Sequence, residues 1–184
     1  MKTSERCGLS QHAEKCLISA DQVGIIDNAM EALRTVVSVR APIDAVWSAW
    51  TSSERITAWF APEANITAIP GGPFELFFDP DDHNHECTRG CVFTLVEPMH
   101  RLTFTWKGPS QFEELMNKAD SLTSVIVSFE EKGGATQVVL DHRGWGDGEG
   151  WAKAKEWHRK AWQEALESLK SELERDARRQ DLNR

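Results

Sequence analysis

The sequence predicts an α+β domain, a curved antiparallel sheet gripping one long C-terminal helix. Three observations predict it. Short segments between Leu33 and Arg143 alternate apolar and polar residues at the period of a half-buried strand, and turn residues separate them. Two short helical stretches interrupt them directly after the first strand. From Trp151 to about Arg178 the period becomes that of an amphipathic helix.

Taken in order, Val37, Val39 and Ala41 alternate with Ser38 and Arg40, so Leu33 to Ala41 is a strand. Pro42 closes it and suits the first turn of a helix, and Ile43, Val46, Trp47 and Trp50 recur at helical spacing as far as Thr51. Ser52 and Ser53 can cap a second helix, Glu54 to Phe60, which Pro62 ends. Strands follow at Ile66–Ile69, Phe74–Asp79, Thr88–Glu97, Arg101–Trp106, Ser121–Glu131 and Thr136–Arg143. Turns fall at Pro70-Gly71-Gly72-Pro73, at Pro98 to His100 and at Lys132-Gly133-Gly134. Asp79 to Glu86 is a polar loop, and Lys107 to Asp120 is a loop or helical insert carrying Phe112, Leu115 and Met116.

The Gly-rich stretch Gly144 to Gly150 leads into the last helix, either as a mobile gate or as a mere connector. Trp151, Ala154, His158, Ala161, Trp162, Ala165, Leu169 and Leu173 form its apolar stripe, and Lys, Glu and Arg form its other face. At 1.5 Å per residue it spans on the order of 40 Å, enough to cross a sheet. The domain is therefore residues 33–178, followed by a frayed tail at 179–184. Residues 1–32 show no sustained period and read as a loosely ordered extension, with a short helix around Asp21 to Leu33 as one reading and Met30 as a candidate translation start.

The chain has 184 residues, a size that suits one domain, and its 40% apolar content supplies a core. Lys and Arg number 21 against 29 Asp and Glu, a net charge of −8. An acidic chain gains nothing from phosphate neutralisation, which excludes general nucleic-acid binding and disfavours anionic membrane surfaces. No window approaches the roughly 20 apolar residues of a membrane span. No apolar h-region follows the charged first residues, so a cytoplasmic location is expected, with Cys7, Cys16, Cys87 and Cys91 reduced. Eight Trp, eight Phe and no Tyr fit a lined cavity and a plain core equally well.

Two polar residues stand on apolar faces. His142 shares its strand face with Val138 and Leu140, and His158 lies on the helix stripe. Each either orients a ligand, acts as an acid–base group, or is a core histidine bonded to backbone. Asp141 and His142 point to opposite faces and form no dyad. No Ser/His/Asp or Cys/His set is present, so no catalytic residue is assigned and no cofactor is expected. His83, His85, Glu86, Cys87 and Cys91 are metal-ligand types without tight zinc spacing, and loop polarity explains them. Gly71-Gly72 lacks the Lys and the following helix of a phosphate loop.

A set of short landmarks recurs in a known order: Ala41-Pro42 with Val46-Trp47, Trp50-Thr51, Glu54, Trp59-Phe60, and Gly71-Gly72 before Phe74. Arg89-Gly90, Val96-Glu97-Pro98, Arg101-Leu102 with Phe104-Thr105-Trp106, Gly133-Gly134 with Thr136, His142 to Trp145, and His158 with Trp162 complete it. Across about residues 33–175 the chain resembles the START-like (SRPBCC) superfamily with the helix-grip fold. The branch it resembles is the homologues of the C-terminal domain of the heat-shock-protein-90 ATPase activator. It departs at Ala161, where the family usually has Gly. It also has no counterpart to the activator's separate chaperone-docking domain, so co-chaperone activity does not carry over.

The resemblance implies a pocket between sheet and last helix, and the expected partner is a small apolar ligand such as a lipid, polyketide or aromatic metabolite. The residues expected to contact it are Phe104, Trp106, Phe129, His142, Trp145, His158 and Trp162. Two other readings stay open. One is a cyclase- or hydrolase-type enzyme using His142 or His158. The other is an interaction domain docking a protein partner, with Phe112, Leu115 and Met116 as its contact or as a cap on the pocket.

Overall fold

The computed structural model describes residues 32–120 and 122–182. The expected extension falls outside them, as do its candidate helix and start site. Strand β1 (Leu33–Val39) leads into helices α1 (Ile43–Thr51) and α2 (Ser53–Ile56). Strands β2 (Glu63–Ile66), β3 (Phe74–Phe77), β4 (Phe93–Glu97) and β5 (Arg101–Trp106) follow. A 3-10 turn at Ser110–Phe112 runs into α3 (Glu113–Met116). Strands β6 (Thr123–Lys132) and β7 (Ala135–Arg143) precede α4 (Glu149–Leu182).

All pairing is antiparallel. Five strands run in the order β1-β7-β6-β5-β4, while β2 and β3 pair as a separate ribbon. Isolated bridges Pro73↔Val92 and Phe77↔Cys87 lean that ribbon on the β4 side. The period-2 pattern decides which face is buried: Leu102, Phe104, Trp106, Val125, Val127, Phe129, Val138, Leu140 and His142 all point inward. Helix α4 has 34 residues, about 51 Å, and lays Ala154, His158, Trp162, Leu166, Leu169 and Leu173 on that face. This is the predicted α+β grip. The helix continues to Leu182, past the expected end at Arg178.

Local chemistry explains the joints. Gly133 and Gly134 both adopt positive φ (62° and 78°), the primed turn that matches the twist of the β6–β7 hairpin. Ser52 caps α2 by accepting from the Arg55 N–H, and Ser53 accepts from the Ile66 N–H, which ties α2 to β2. The Ser168 hydroxyl donates to the Trp59 carbonyl at 2.8 Å and fixes α4 against the turn after α2. On the outer face of the sheet, Arg34 grips Asp141 through two 2.7 Å bonds.

Several bounds shift by one or two residues, helix α2 ends at Ile56 instead of Phe60, and two strands differ more. The β2 strand is Glu63–Ile66 rather than Ile66–Ile69, because pairing with β3 sets it while Ile69 turns out to solvent. Only the second half of Thr88–Glu97 is regular strand. Its first half is a turn held by the Thr88 side chain, which accepts from the Leu76 N–H and donates to the Phe74 carbonyl.

Among the described glycines, Gly72 in the turn before β3 has the least room. A Cβ on Gly72 would lie 2.1 Å from the Thr67 carbonyl oxygen. Gly72→Ala is therefore expected to destabilise by roughly 2–3 kcal/mol, measured as a lower urea midpoint with an unchanged slope.

Candidate functional site

A groove of about 650 Å³ opens between α4 and the ends of β3 and β5. Its aromatic walls are Trp59, Phe60, Phe78, Trp106, Trp157 and Trp162. The turn after α2 supplies the first two, where Phe60 stacks on Trp59 (4.7 Å) and lies parallel to Trp106 (6.1 Å). Trp106 and Trp162 meet at 4.7 Å to form the floor. Phe78 and Trp157 stand at the mouth, 41% and 40% exposed, although large apolar side chains are normally withdrawn from water. The polar rim is Asp79, Glu86, Lys107 and Glu164, with the half-buried Cys87 thiol beside them.

Behind the floor runs a polar network whose direction follows from donor chemistry. An indole N–H can only donate. Trp162 donates to His142 Nδ1 at 3.0 Å, so the proton of His142 is on Nε2, 2.8 Å from the Thr123 hydroxyl. Thr123 in turn donates to the Trp106 carbonyl at 3.1 Å. Trp106 donates its indole N–H to His158 Nε2 at 3.2 Å, which leaves the His158 proton on Nδ1, 2.8 Å from the Ala154 carbonyl. Trp145 donates to the His142 carbonyl at 2.9 Å.

Both imidazoles are therefore neutral, and each has its donor and its acceptor engaged inside the protein. Burial pushes His142 well below the ordinary range, and the nearby His158 ring adds to the effect. Burial lowers His158 to about 4, partly opposed by its bond to the Ala154 carbonyl.

The seven residues expected at the ligand divide accordingly. Trp106, His158 and Trp162 line the groove. Phe104 does not, because it stacks on Phe74 at 3.8 Å inside the core. Phe129 packs edge-on against Trp47 (5.5 Å), six residues along β6 from Thr123 and so about 20 Å from the groove end of the sheet. His142 and Trp145 sit behind the floor.

The Gly144 to Gly150 segment contributes no lining residue to the groove, and Trp145 within it is buried. Met116 is fully buried and Phe112 packs near Trp157 and His158, so the 107–120 insert buttresses the helix instead of exposing an apolar contact.

The metal-ligand types disperse. His85 pairs with Asp82 at 2.7 Å, His83 lies 2.8 Å from Glu63, and Cys91 is in the core, where burial raises its thiol to about 11. Among the described residues no three His, Cys, Asp or Glu side chains gather at one point. No helix among them is long and apolar enough to cross a membrane.

Sequence reasoning missed Trp59, Phe60, Phe78 and Trp157 as lining residues. Trp157 did leave a signal, a large aromatic on the polar face of α4 next to the stripe residue His158. Ala161 also lines the groove.

A family model described as activator of Hsp90 ATPase homolog 1-like protein matches residues 40–174. Comparison with curated proteins gives no match. Among solved structures, the Aha1 dimer from Colwellia psychrerythraea is similar with a TM-score of 0.61 at 17% identity, over 79% of this chain and 97% of that one. A protein of Bacillus halodurans gives 0.59 at 26% identity, over 78% and 96%. DynU16, from the dynemicin biosynthetic locus, gives 0.58 at 22% identity over 78% of this chain and 47% of its own, so this chain spans about half its length. With the grip architecture shared and most of the domain matched, the chain belongs to the Hsp90-ATPase-activator-homologue-1-like family within the START-like superfamily.

Proposed function

We propose that this protein is a small-molecule binding protein that holds a mostly apolar ligand in the groove between α4 and the ends of β3 and β5. One observation carries the reading. The groove, of about 650 Å³, falls within the size range of ligand sites and is walled by aromatic rings, two of which stand exposed at its mouth. Burying such surface against a ligand is worth on the order of 25 cal/mol per Å² before the costs of association. The enzyme reading has less support. An acid–base histidine needs a nitrogen free to exchange a proton with substrate, and both nitrogens of His142 and of His158 are bonded within the protein.

The test is titration with N-phenyl-1-naphthylamine, a neutral dye whose emission rises in apolar surroundings. Saturable binding at low micromolar concentration is the expected result. Ala161→Trp fills the groove from the helix side and is expected to weaken binding at least tenfold with little change in melting temperature. Binding unaffected by Ala161→Trp would move the ligand elsewhere on the molecule.

A further inference from the structure

The groove's polar groups are unevenly committed. Almost every side-chain donor facing it is spent within the protein. Trp59 donates to the Ala49 carbonyl, Trp106 to His158, Trp162 to His142, Ser168 to the Trp59 carbonyl, Thr88 to the Phe74 carbonyl, and the Lys107 ammonium to the Arg89 carbonyl. The Cys87 thiol points to the His83 carbonyl. Among the described lining side chains the exceptions are the Trp157 indole at the open mouth and the Lys107 ammonium at the rim, which has three N–H donors and spends one on the Arg89 carbonyl.

The acceptors are in the opposite state. Among the described residues Glu164 has no hydrogen-bond or ion-pair partner, Asp79 uses one oxygen for the Asp81 N–H, and Glu86 uses one for Ser110. Three carboxylates face one ammonium around the rim, and His158 adds no charge because both its nitrogens are bonded in the neutral form. What the groove offers an incoming polar group is therefore acceptor capacity and negative charge, above a box of aromatic faces that attract cations.

Building on the ligand-binding reading, we infer that the groove selects a hydrogen-bond-donating cation: an amine or ammonium group on an apolar or aromatic body, with the body among the rings and the ammonium at the Asp79–Glu86–Glu164 rim. Carboxylate or phosphate ligands, such as free fatty acids, are disfavoured. They would find no free side-chain donor in the interior and three like charges at the rim.

The test uses three probes that share one ring system and differ in charge: 2-(1-naphthyl)ethylammonium, 2-(1-naphthyl)ethanol and 1-naphthylacetate. Isothermal titration at low salt is expected to rank them in that order, with the ammonium about tenfold tighter than the alcohol, or about 1.4 kcal/mol. The preference is expected to shrink as salt rises. In the combined Asp79→Asn, Glu86→Gln, Glu164→Gln protein, the ammonium and the alcohol are expected within about twofold of each other.

If the alcohol binds as tightly as the ammonium, or the carboxylate binds best, the charge inference is overturned while the groove remains a ligand site. If the ammonium preference survives in the neutralised variant, the cation sits elsewhere and the inference is equally overturned. If none of the three binds, both this inference and the ligand-binding reading are overturned.

Discussion

Replacing His142 by Ala is expected to remove roughly 4 kcal/mol of stability, a large part of what a domain this size possesses. The ring is completely buried among Trp106, Trp145, His158 and Trp162, so truncation opens a cavity. It also removes the acceptor of the Trp162 indole, which leaves that buried N–H unpaired, and takes from Thr123 one of its two hydrogen bonds. Gln at this position carries one acceptor and one donor at about the same reach. His142→Gln is therefore expected to lose no more than about 2 kcal/mol. Urea unfolding of both variants checks this. Equal losses would mean that ring volume alone matters and that the hydrogen-bond direction assigned to the network is wrong.

The second large effect is a loss of stability in mild acid. An unfolded histidine takes up a proton near pH 6.5, whereas His142 and His158 resist protonation in the fold. The unfolded chain thus binds more protons in this range, and stability rises with pH there. The contribution is complete above about pH 6.5. It declines as the pH falls, and for His158 the decline levels off near pH 4, where the folded form also protonates.

At pH 5 the His158 linkage removes about 2 kcal/mol, and His142 acts in the same direction. The His158 share alone is expected to lower the melting temperature by roughly 5 °C between pH 7 and pH 5. His158→Gln deletes that titration and is expected to shrink the drop. His85, held above its ordinary value by Asp82, acts with the opposite sign but is on the open surface. A melting temperature that stays flat from pH 7 to pH 5 would contradict neutral burial of the pair.

Much of the architecture was legible because burial writes itself into period. Strand β5, most of β6 and the first part of β7 alternate, and the stripe of α4 repeats over five turns, so their faces could be assigned from spacing alone. The β2 strand was not legible, since Glu63-Ala64-Asn65 has little intrinsic strand preference and only pairing with β3 makes it one.

The site was half legible for a related reason. Period says that Trp106, His158 and Trp162 point inward but not what they meet there. His142 points inward equally well. Whether it touches a ligand or an indole depends on Trp162, 20 positions away, and on Thr123, 19 positions away. Trp157 was passed over because it is exposed, and a pattern that searches for burial discards such a residue, whereas Phe78 alternates with Phe74 and Leu76 and read as part of an apolar strand face.

The double duty of the groove floor constrains how such a protein can change over time. Trp106 and Trp162 present their faces to the groove and their N–H groups to the core network. A substitution that reshapes the floor thereby unfastens the interior, so a new groove shape gained there arrives together with a folding defect. The rim is under no such obligation. Asp79, Glu164 and Trp157 can be exchanged with little effect on the core, so the chemistry of the mouth can drift while the rest of the domain stays the same.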